Sequence, residues 1–226
     1  VDLNFILFNN RIYGLTKGQY SPTSERGFVS KSSPFGTVED PFIPAELCFG
    51  ARGRFFARSL DIDMKLLGQC MVACAKHKGA AVVEVLVNCV IFNDGVHKNV
   101  AQRDVRDDRS IVLRHGEKMI FGKEKNKGIV LEGLRLKAVT IGEDGYTLDD
   151  VLTHDAHETD STLHTMLAMM GTSDDMPVAF GVIRDVDDIC YDQAVTQQIE
   201  EVRAQKPGIR TLEDLLMKDA YWEVKE

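Results

Sequence analysis

Asn9 and Asn10 stand at the end of the apolar run Leu3-Asn4-Phe5-Ile6-Leu7-Phe8. In an open parallel sheet that is where ligands bind, outside the carboxyl ends of the strands. An amide oxygen and a nearby loop carbonyl are hard ligands of the kind Mg²⁺ takes, commonly in company with a phosphate-bearing cofactor. Gly14 and Gly18 follow, and glycines let backbone N–H groups approach a diphosphate closely. Thr16 adds a hydroxyl, and Lys17 a point charge able to hold a phosphate or a carboxylate. On residue types alone a second reading is equally good: the paired Asn ends a strand and the glycines turn the chain.

Other chemistry is weaker. The five cysteines, Cys48, Cys70, Cys74, Cys89 and Cys190, are odd in number, irregularly spaced and without a C-x-x-C pair. That argues against a disulfide framework and a self-contained metal centre, and fits a reducing, cytoplasmic setting. Cys70 and Cys74 share a helical face and could bind a soft metal, but they fall on an apolar stripe and read better as core. His154, His157 and His164 lie among Asp155, Glu158 and Asp160. Without an H-E-x-x-H spacing, a polar segment leading into a helix is the better reading. Neither G-x-S-x-G nor G-x-G-x-x-G occurs, which removes a serine-hydrolase elbow and weakens a nicotinamide-dependent dehydrogenase. Acidic residues outnumber basic ones by 35 to 27, for a net charge of −8, with both signs interspersed. A general nucleic-acid binder needs a basic face, so none is expected. No apolar run is long enough to span a membrane, and none of these features suggests one.

Elements must position these groups. Strands are expected at Leu3–Phe8, as a buried run, at Phe55–Ala57, at Ala80–Val87 (interrupted by Glu84) and at Val178–Ile183. Between the second and third, Ser59 can cap a helix with Asp61 and Asp63 in its first turn and a stripe of Met64, Leu67, Met71 and Cys74, stopped at Gly79. Strand, helix, strand at these lengths suggests a βαβ unit. The segment from Arg11 to about Gly53 is rich in Gly, Ser, Thr and Pro, and a connection that long is usually functional. Lys118–Lys127 reads as a solvated loop and Arg135–Ile141 as a short strand. Helices are expected at Ser161–Met170, Asp192–Ala204 and Thr211–Lys218, the last two split by Pro207-Gly208. The fold class is α/β, a mostly parallel sheet flanked by helices. Residues 1–93 form its cofactor-binding domain and 94–226 an extension on the same core.

The run Asn9-Asn10-Arg11-Ile12-Tyr13-Gly14-Leu15-Thr16-Lys17-Gly18-Gln19-Tyr20-Ser21-Pro22-Thr23 resembles the thiamine-diphosphate loop of the β subunit of 2-oxoacid:ferredoxin oxidoreductases, most closely the 2-oxoglutarate type. The resemblance implies that the Asn10 amide and the Ile12 carbonyl ligate Mg²⁺. It also implies that Gly14, Leu15 and Thr16 contact the cofactor, and that Lys17 faces the substrate carboxylate. Cys89, between Glu84–Asn88 and Phe92-Asn93-Asp94, matches a distal ligand of the family's 4Fe-4S cluster. Gly133–Val139, Val151–Asp155, Met176–Arg184 and Asp219–Val224 also look familial. The implied reaction is oxidative decarboxylation of a 2-oxoacid with coenzyme A, giving acyl-coenzyme A, CO₂ and reduced ferredoxin, in a heteromer with an α subunit. The family's Gly-Asp-Gly half-motif and other cluster cysteines do not occur in this sequence. The chain is therefore expected to be the larger C-terminal part of a subunit, inactive by itself. A cluster-free thiamine-diphosphate enzyme (a decarboxylase or transketolase relative) and a non-catalytic subunit-interaction module remain as alternatives.

Overall fold

Period-2 alternation of apolar residues builds the centre of the molecule. Phe55 and Phe56 are both fully buried, yet they point to opposite faces of one strand and join two different cores. Ala179 and Phe180 do the same on a second strand. The computed structural model describes residues 1–171, 175–205, 211–217, 222 and 224. In chain order its elements are β1 (Leu3–Asn9), α1 (Pro44–Gly50), β2 (Phe55–Leu60), α2 (Met64–Lys76) and β3 (Ala80–Leu86). The single turns α3 (Lys98–Ala101) and α4 (Arg106–Arg109) follow, then β4 (Ser110–Leu113), β5 (Ile120–Phe121), β6 (Lys127–Glu132) and β7 (Arg135–Thr140). The remainder is α5 (Thr162–Met169), β8 (Val178–Asp185), α6 (Tyr191–Gln205) and α7 (Leu212–Leu216).

Five strands form the main sheet in the order β1-β3-β2-β8-β4. Neighbours are parallel except β2 and β8, whose antiparallel pairing carries an irregularity between Phe56 and Ala57. The mostly parallel α/β reading holds. Helix α2 packs on β2, β3 and β8, and α5 on β8. Strands β5, β6 and β7 form a separate antiparallel sheet. The chain divides into two compact units, Asp2–Asp188 and a second made of Val1 with Ile189–Glu226. In the second, the Val1 amino group donates to Asp192 Oδ1 at 2.7 Å. No helix among the described residues is long and apolar enough to cross a membrane.

Several expectations need correction. β1 forms where expected but is not buried: it is a sheet edge, and Phe5 and Phe8 are 51% and 67% exposed. Ser59 does not cap α2. It lies inside β2, fully buried, and Asp63 is the cap, accepting the Leu66 N–H at 3.0 Å. The cap lies four residues later than expected, and Leu66, Cys70 and Cys74 form the buried stripe of the helix while Met64 is exposed. The Lys118–Lys127 stretch contains β5, with Met119 and Phe121 buried. Pro207-Gly208, Lys218 and most of Asp219–Val224 lie outside the described residues.

Candidate functional site

β1 and β3 run in register to their ends, where Asn9 pairs with Leu86. Beyond Asn9 the chain turns sharply. Arg11 adopts a left-handed backbone at φ 52°, and the Asn10 Oδ1 accepts the Ile12 N–H at 3.1 Å. Short polar side chains readily close such turns, whereas a bulky residue at positive φ is strained and persists only where its surroundings hold it. What holds it is visible on both sides. Ser24 Oγ donates to the Arg11 carbonyl at 2.6 Å, and Asn93 Nδ2 donates to the Asn10 and Arg11 carbonyls at 3.1 and 3.3 Å.

Asn9 is the fixed base of this turn. Its Nδ2 donates to Glu84 Oε1 at 2.7 Å, its Oδ1 accepts from Thr23 Oγ1 at 2.8 Å, and its carbonyl accepts from Val87 N and His97 Nε2. Glu84 also pairs with Arg58 Nε at 2.7 Å, and Arg58 Nη1 donates to the Ala168 and Ala179 carbonyls. Asn9, Arg58, Glu84 and His97 are all buried. Burial pulls the Glu84 carboxyl upward, but the Arg58 guanidinium and the Asn9 amide outweigh it and hold the group below the ordinary range. Burial also lowers His97, which favours the neutral imidazole, and its Nε2 donates to the Asn9 carbonyl. A cleft of ≈ 350 Å³ opens beside these residues, with Arg11 and Glu25 paired at its lining. Sequence reasoning missed Arg58, Thr23, Asn93 and His97 as parts of the site. The available signal was Glu84, a carboxylate inside a valine-rich strand, which must be paired to be tolerated there.

From Tyr13 the chain loops out and returns at Gln19, closed by Tyr13 N to the Gln19 carbonyl at 2.8 Å and Gly18 N to the Tyr13 carbonyl at 3.1 Å. Gly14, Leu15, Thr16 and Lys17 occupy the exposed tip, with Leu15 99% exposed. Lys17 sits at φ 62° and Gly18 at φ 101°, so the tip depends on left-handed backbone. Phe92 packs against Gly18 so closely that a Cβ there would lie 3.3 Å from the ring.

The donor set fits a metal-bound diphosphate. Among the described residues, the backbone N–H groups of Gly14, Leu15 and Thr16 donate to nothing in the chain, and the Ile12 carbonyl accepts nothing. Successive free N–H groups in a turn form an anion-binding concavity. A free carbonyl beside an oriented amide oxygen offers two hard ligands, and a magnesium ion taking few protein ligands keeps the rest as water and phosphate. The structure thus brings Asn10, Ile12, Gly14, Leu15, Thr16 and Lys17 into one loop.

Cys89 begins the turn that carries Asn93, whose N–H donates to the Cys89 carbonyl at 2.9 Å. Its turn therefore stands against the loop. No group of three or more metal-ligating side chains occurs among the described residues, so these residues do not by themselves fit an iron–sulfur cluster. Cys70 and Cys74 are core residues: burial pushes the Cys70 thiol up to about 12 and raises Cys74 as well. Burial raises Cys48 to about 11, and Cys48, Cys70, Cys74 and Cys89 are free thiols.

The histidine cluster lies at the other end of the sheet. His157 Nδ1 donates to the carbonyl of Asp185, which pairs with Phe55 at the start of β2. His154 donates to the Val182 carbonyl and His164 to the Asp155 carbonyl, both from Nε2.

Comparison with known proteins follows the same lines. Residues 1–85 match the thiamine pyrophosphate enzyme C-terminal TPP-binding domain. The chain is 37% identical over 225 residues to the 2-oxoglutarate oxidoreductase subunit KorB of Mycobacterium tuberculosis, covering 99% of this chain and 60% of that protein. It is 42% identical over 94 residues to the 2-oxoacid:ferredoxin oxidoreductase subunit beta of a Sulfolobus species, covering 42% of this chain and 31% of that one. The chain thus spans three fifths or less of the length of these relatives. Among solved structures, the 2-oxoglutarate:ferredoxin oxidoreductase of Magnetococcus marinus superposes with a TM-score of 0.64 at 20% identity, over 97% of this chain and 59% of that one. That structure holds 2-oxoglutarate, coenzyme A and succinyl-CoA. At this identity the likeness establishes a shared fold.

Proposed function

We propose that this chain is part of a β subunit of the 2-oxoacid:ferredoxin oxidoreductase kind, a reading supported by its likeness to the Mycobacterium tuberculosis subunit and by the matched TPP-binding domain, and that it supplies the diphosphate- and magnesium-binding half of an oxidative 2-oxoacid decarboxylase. The reaction takes a 2-oxoacid anion, coenzyme A and two oxidised ferredoxins to acyl-coenzyme A, CO₂, two reduced ferredoxins and the proton released from the coenzyme A thiol, each acceptor taking one electron. The substrate is 2-oxoglutarate, and the site is completed with an α subunit. Bound thiamine diphosphate supplies the nucleophilic carbon and the electron sink that decarboxylation needs.

This chain's own residues bind and orient. Asn10 Oδ1 and the Ile12 carbonyl would hold Mg²⁺. The free N–H groups of Gly14, Leu15 and Thr16 would cradle the diphosphate. Lys17, exposed at the tip, would attract the substrate carboxylate by charge, which suits a dicarboxylic 2-oxoacid. Residues 1–93 carry this binding half, with β8 and β4 widening its sheet. Cys89 would be one ligand of a 4Fe-4S cluster, but one thiolate cannot hold a cluster, and no electron-transfer step is placed on this chain. The free thiols of Cys48, Cys70, Cys74 and Cys89 accord with a cytoplasmic setting.

The observation that carries the reading is the Asn10–Thr16 turn, in which a metal-competent amide and carbonyl sit beside three unengaged N–H groups. Calorimetric titration of thiamine diphosphate into the full-length subunit with its partner tests it. With Mg²⁺ present, Asn10→Ala is expected to weaken affinity on the order of 100-fold, as loss of a bond to a charged group implies. Unchanged affinity would refute the ligand assignment.

A further inference from the structure

Mg²⁺ demands near-ideal octahedral geometry at about 2.0–2.1 Å and discriminates against loosely held ligands, whereas Ca²⁺ accepts more, longer and less regular contacts. The separation between the Asn10 amide oxygen and the Ile12 carbonyl therefore has to be held firmly. Local sequence does this poorly, because Arg11 between them sits at φ 52° and the turn has only the Asn10–Ile12 Asx bond of its own. Asn93 supplies a long-range constraint. Its single amide nitrogen bridges the two successive carbonyls of Asn10 and Arg11, across 83 and 82 residues of sequence.

The middle of the turn bearing Asn93 adds little to a core. Val90 and Ile91 are 72% and 77% exposed, so this segment is not there to fill a core. Its own shape is held independently: Asn93 N donates to the Cys89 carbonyl, Asn88 N to Asp61 Oδ2 at 2.9 Å, and Gly95 N to Asn88 Oδ1 at 2.8 Å. The Asn93 amide is thus presented by a pre-formed support and directed at the two peptide groups that lie between the would-be ligands. Phe92, one residue earlier, closes on Gly18 at the far side of the loop. We infer that Asn93 is a positioning residue for the metal clamp, setting the Asn10–Ile12 spacing and with it the selectivity for Mg²⁺ over larger divalent cations. The inference rests on the cofactor reading above.

The test is the concentration of Mg²⁺, and separately of Ca²⁺, that half-saturates thiamine diphosphate binding to the full-length subunit with its partner, followed by calorimetry. Asn93→Leu keeps the volume and removes the donor. It is expected to raise the Mg²⁺ requirement about tenfold and the Ca²⁺ requirement less than about threefold, with the metal-free melting temperature within about 2 °C of wild type. Asn93→Ala, which cannot clash, is expected to show the same divergence between the two ions. An unchanged Mg²⁺ requirement would overturn the inference. So would equal rises for both ions alongside a lower metal-free melting temperature, because that pattern belongs to a residue that only stabilises the fold. If the wild-type complex bound no thiamine diphosphate with either ion, the cofactor reading itself would fall, and this inference with it.

Discussion

The main sheet carries a buried polar cluster at each end, and the two differ in what they leave unspent. At the end of β1 and β3, Asn9, Glu84, Arg58 and His97 satisfy one another and nearby carbonyls. Just beyond them, however, the exposed residues Gly14, Leu15 and Thr16 keep N–H groups with no partner among the described residues. At the opposite end, His154 and His164 donate to the Val182 and Asp155 carbonyls, and Arg184 bonds His164 Nδ1 and the Glu158 and Thr159 carbonyls. What remains in its buried part, His154 Nδ1 and Arg184 Nε, is sealed from solvent. Density of ionisable residues does not distinguish a binding site from a structural knot. Reachable hydrogen-bonding capacity left over does.

The largest expected effect breaks the first cluster at its charged root. Arg58→Met leaves Glu84 buried, 3% exposed and without its counter-charge. Removing one partner of such a pair costs about 3–5 kcal/mol, so urea denaturation should show a loss of that size. Cofactor affinity should fall as well, because Glu84 holds the Asn9 amide under the turn. A loss of stability with unchanged affinity would mean that the network beneath Asn9 does not reach the binding loop.

The histidine end should reveal itself through pH instead. Burial lowers His154 from 6.5 to about 4. In the unfolded chain it takes up a proton as pH falls through about 6.5, while in the folded chain it resists until about 4. Stability that is complete above pH 6.5 should therefore drain away on acidification, by about 1.4 kcal/mol per pH unit and about 3 kcal/mol in all. Removing the titrating group in His154→Gln should flatten denaturation midpoints measured across that window, and thiamine diphosphate affinity at pH 7.5 should stay within about twofold of wild type. A clear fall in affinity would erase the distinction between the two ends.

These two clusters were unequally legible in sequence. Asn9-Asn10 and the spaced glycines carry their chemistry in residue type and local order, and the turn they imply is the turn that forms. The struts that hold it come from 13 to 88 residues away, on segments whose own patterns announce only strand or turn. Asn93 and His97 have no local signature, and Arg58 sits in a run that alternation assigns to a strand. Ser59 failed as a cap for a related reason: cap propensity is a local preference, and pairing of β2 with β3 carried the strand on to Leu60, moving the helix start to Asp63. The edge position of β1 was also hidden, since an apolar run gives no sign of which faces the rest of the fold will cover.

The smallest expected effect concerns two leucines that the fold leaves in solvent. Leu15 at the tip of the binding loop is 99% exposed, and Leu134 at the β6–β7 hairpin tip is 92% exposed. In this chain neither packs into a core, so Leu15→Ser and Leu134→Ser should each change stability by no more than about 0.5 kcal/mol. The two should part on ligand binding. Covering a leucine side chain is worth about 1.5–3 kcal/mol when complete. Partial cover of Leu15 by thiamine diphosphate therefore corresponds to a threefold to tenfold loss of affinity, roughly, in Leu15→Ser, while Leu134→Ser should bind as wild type. Equal affinities for the two variants would show that the Leu15 side chain makes no contact with the cofactor, and that binding rests on the Asn10–Ile12 clamp and the N–H groups of the tip.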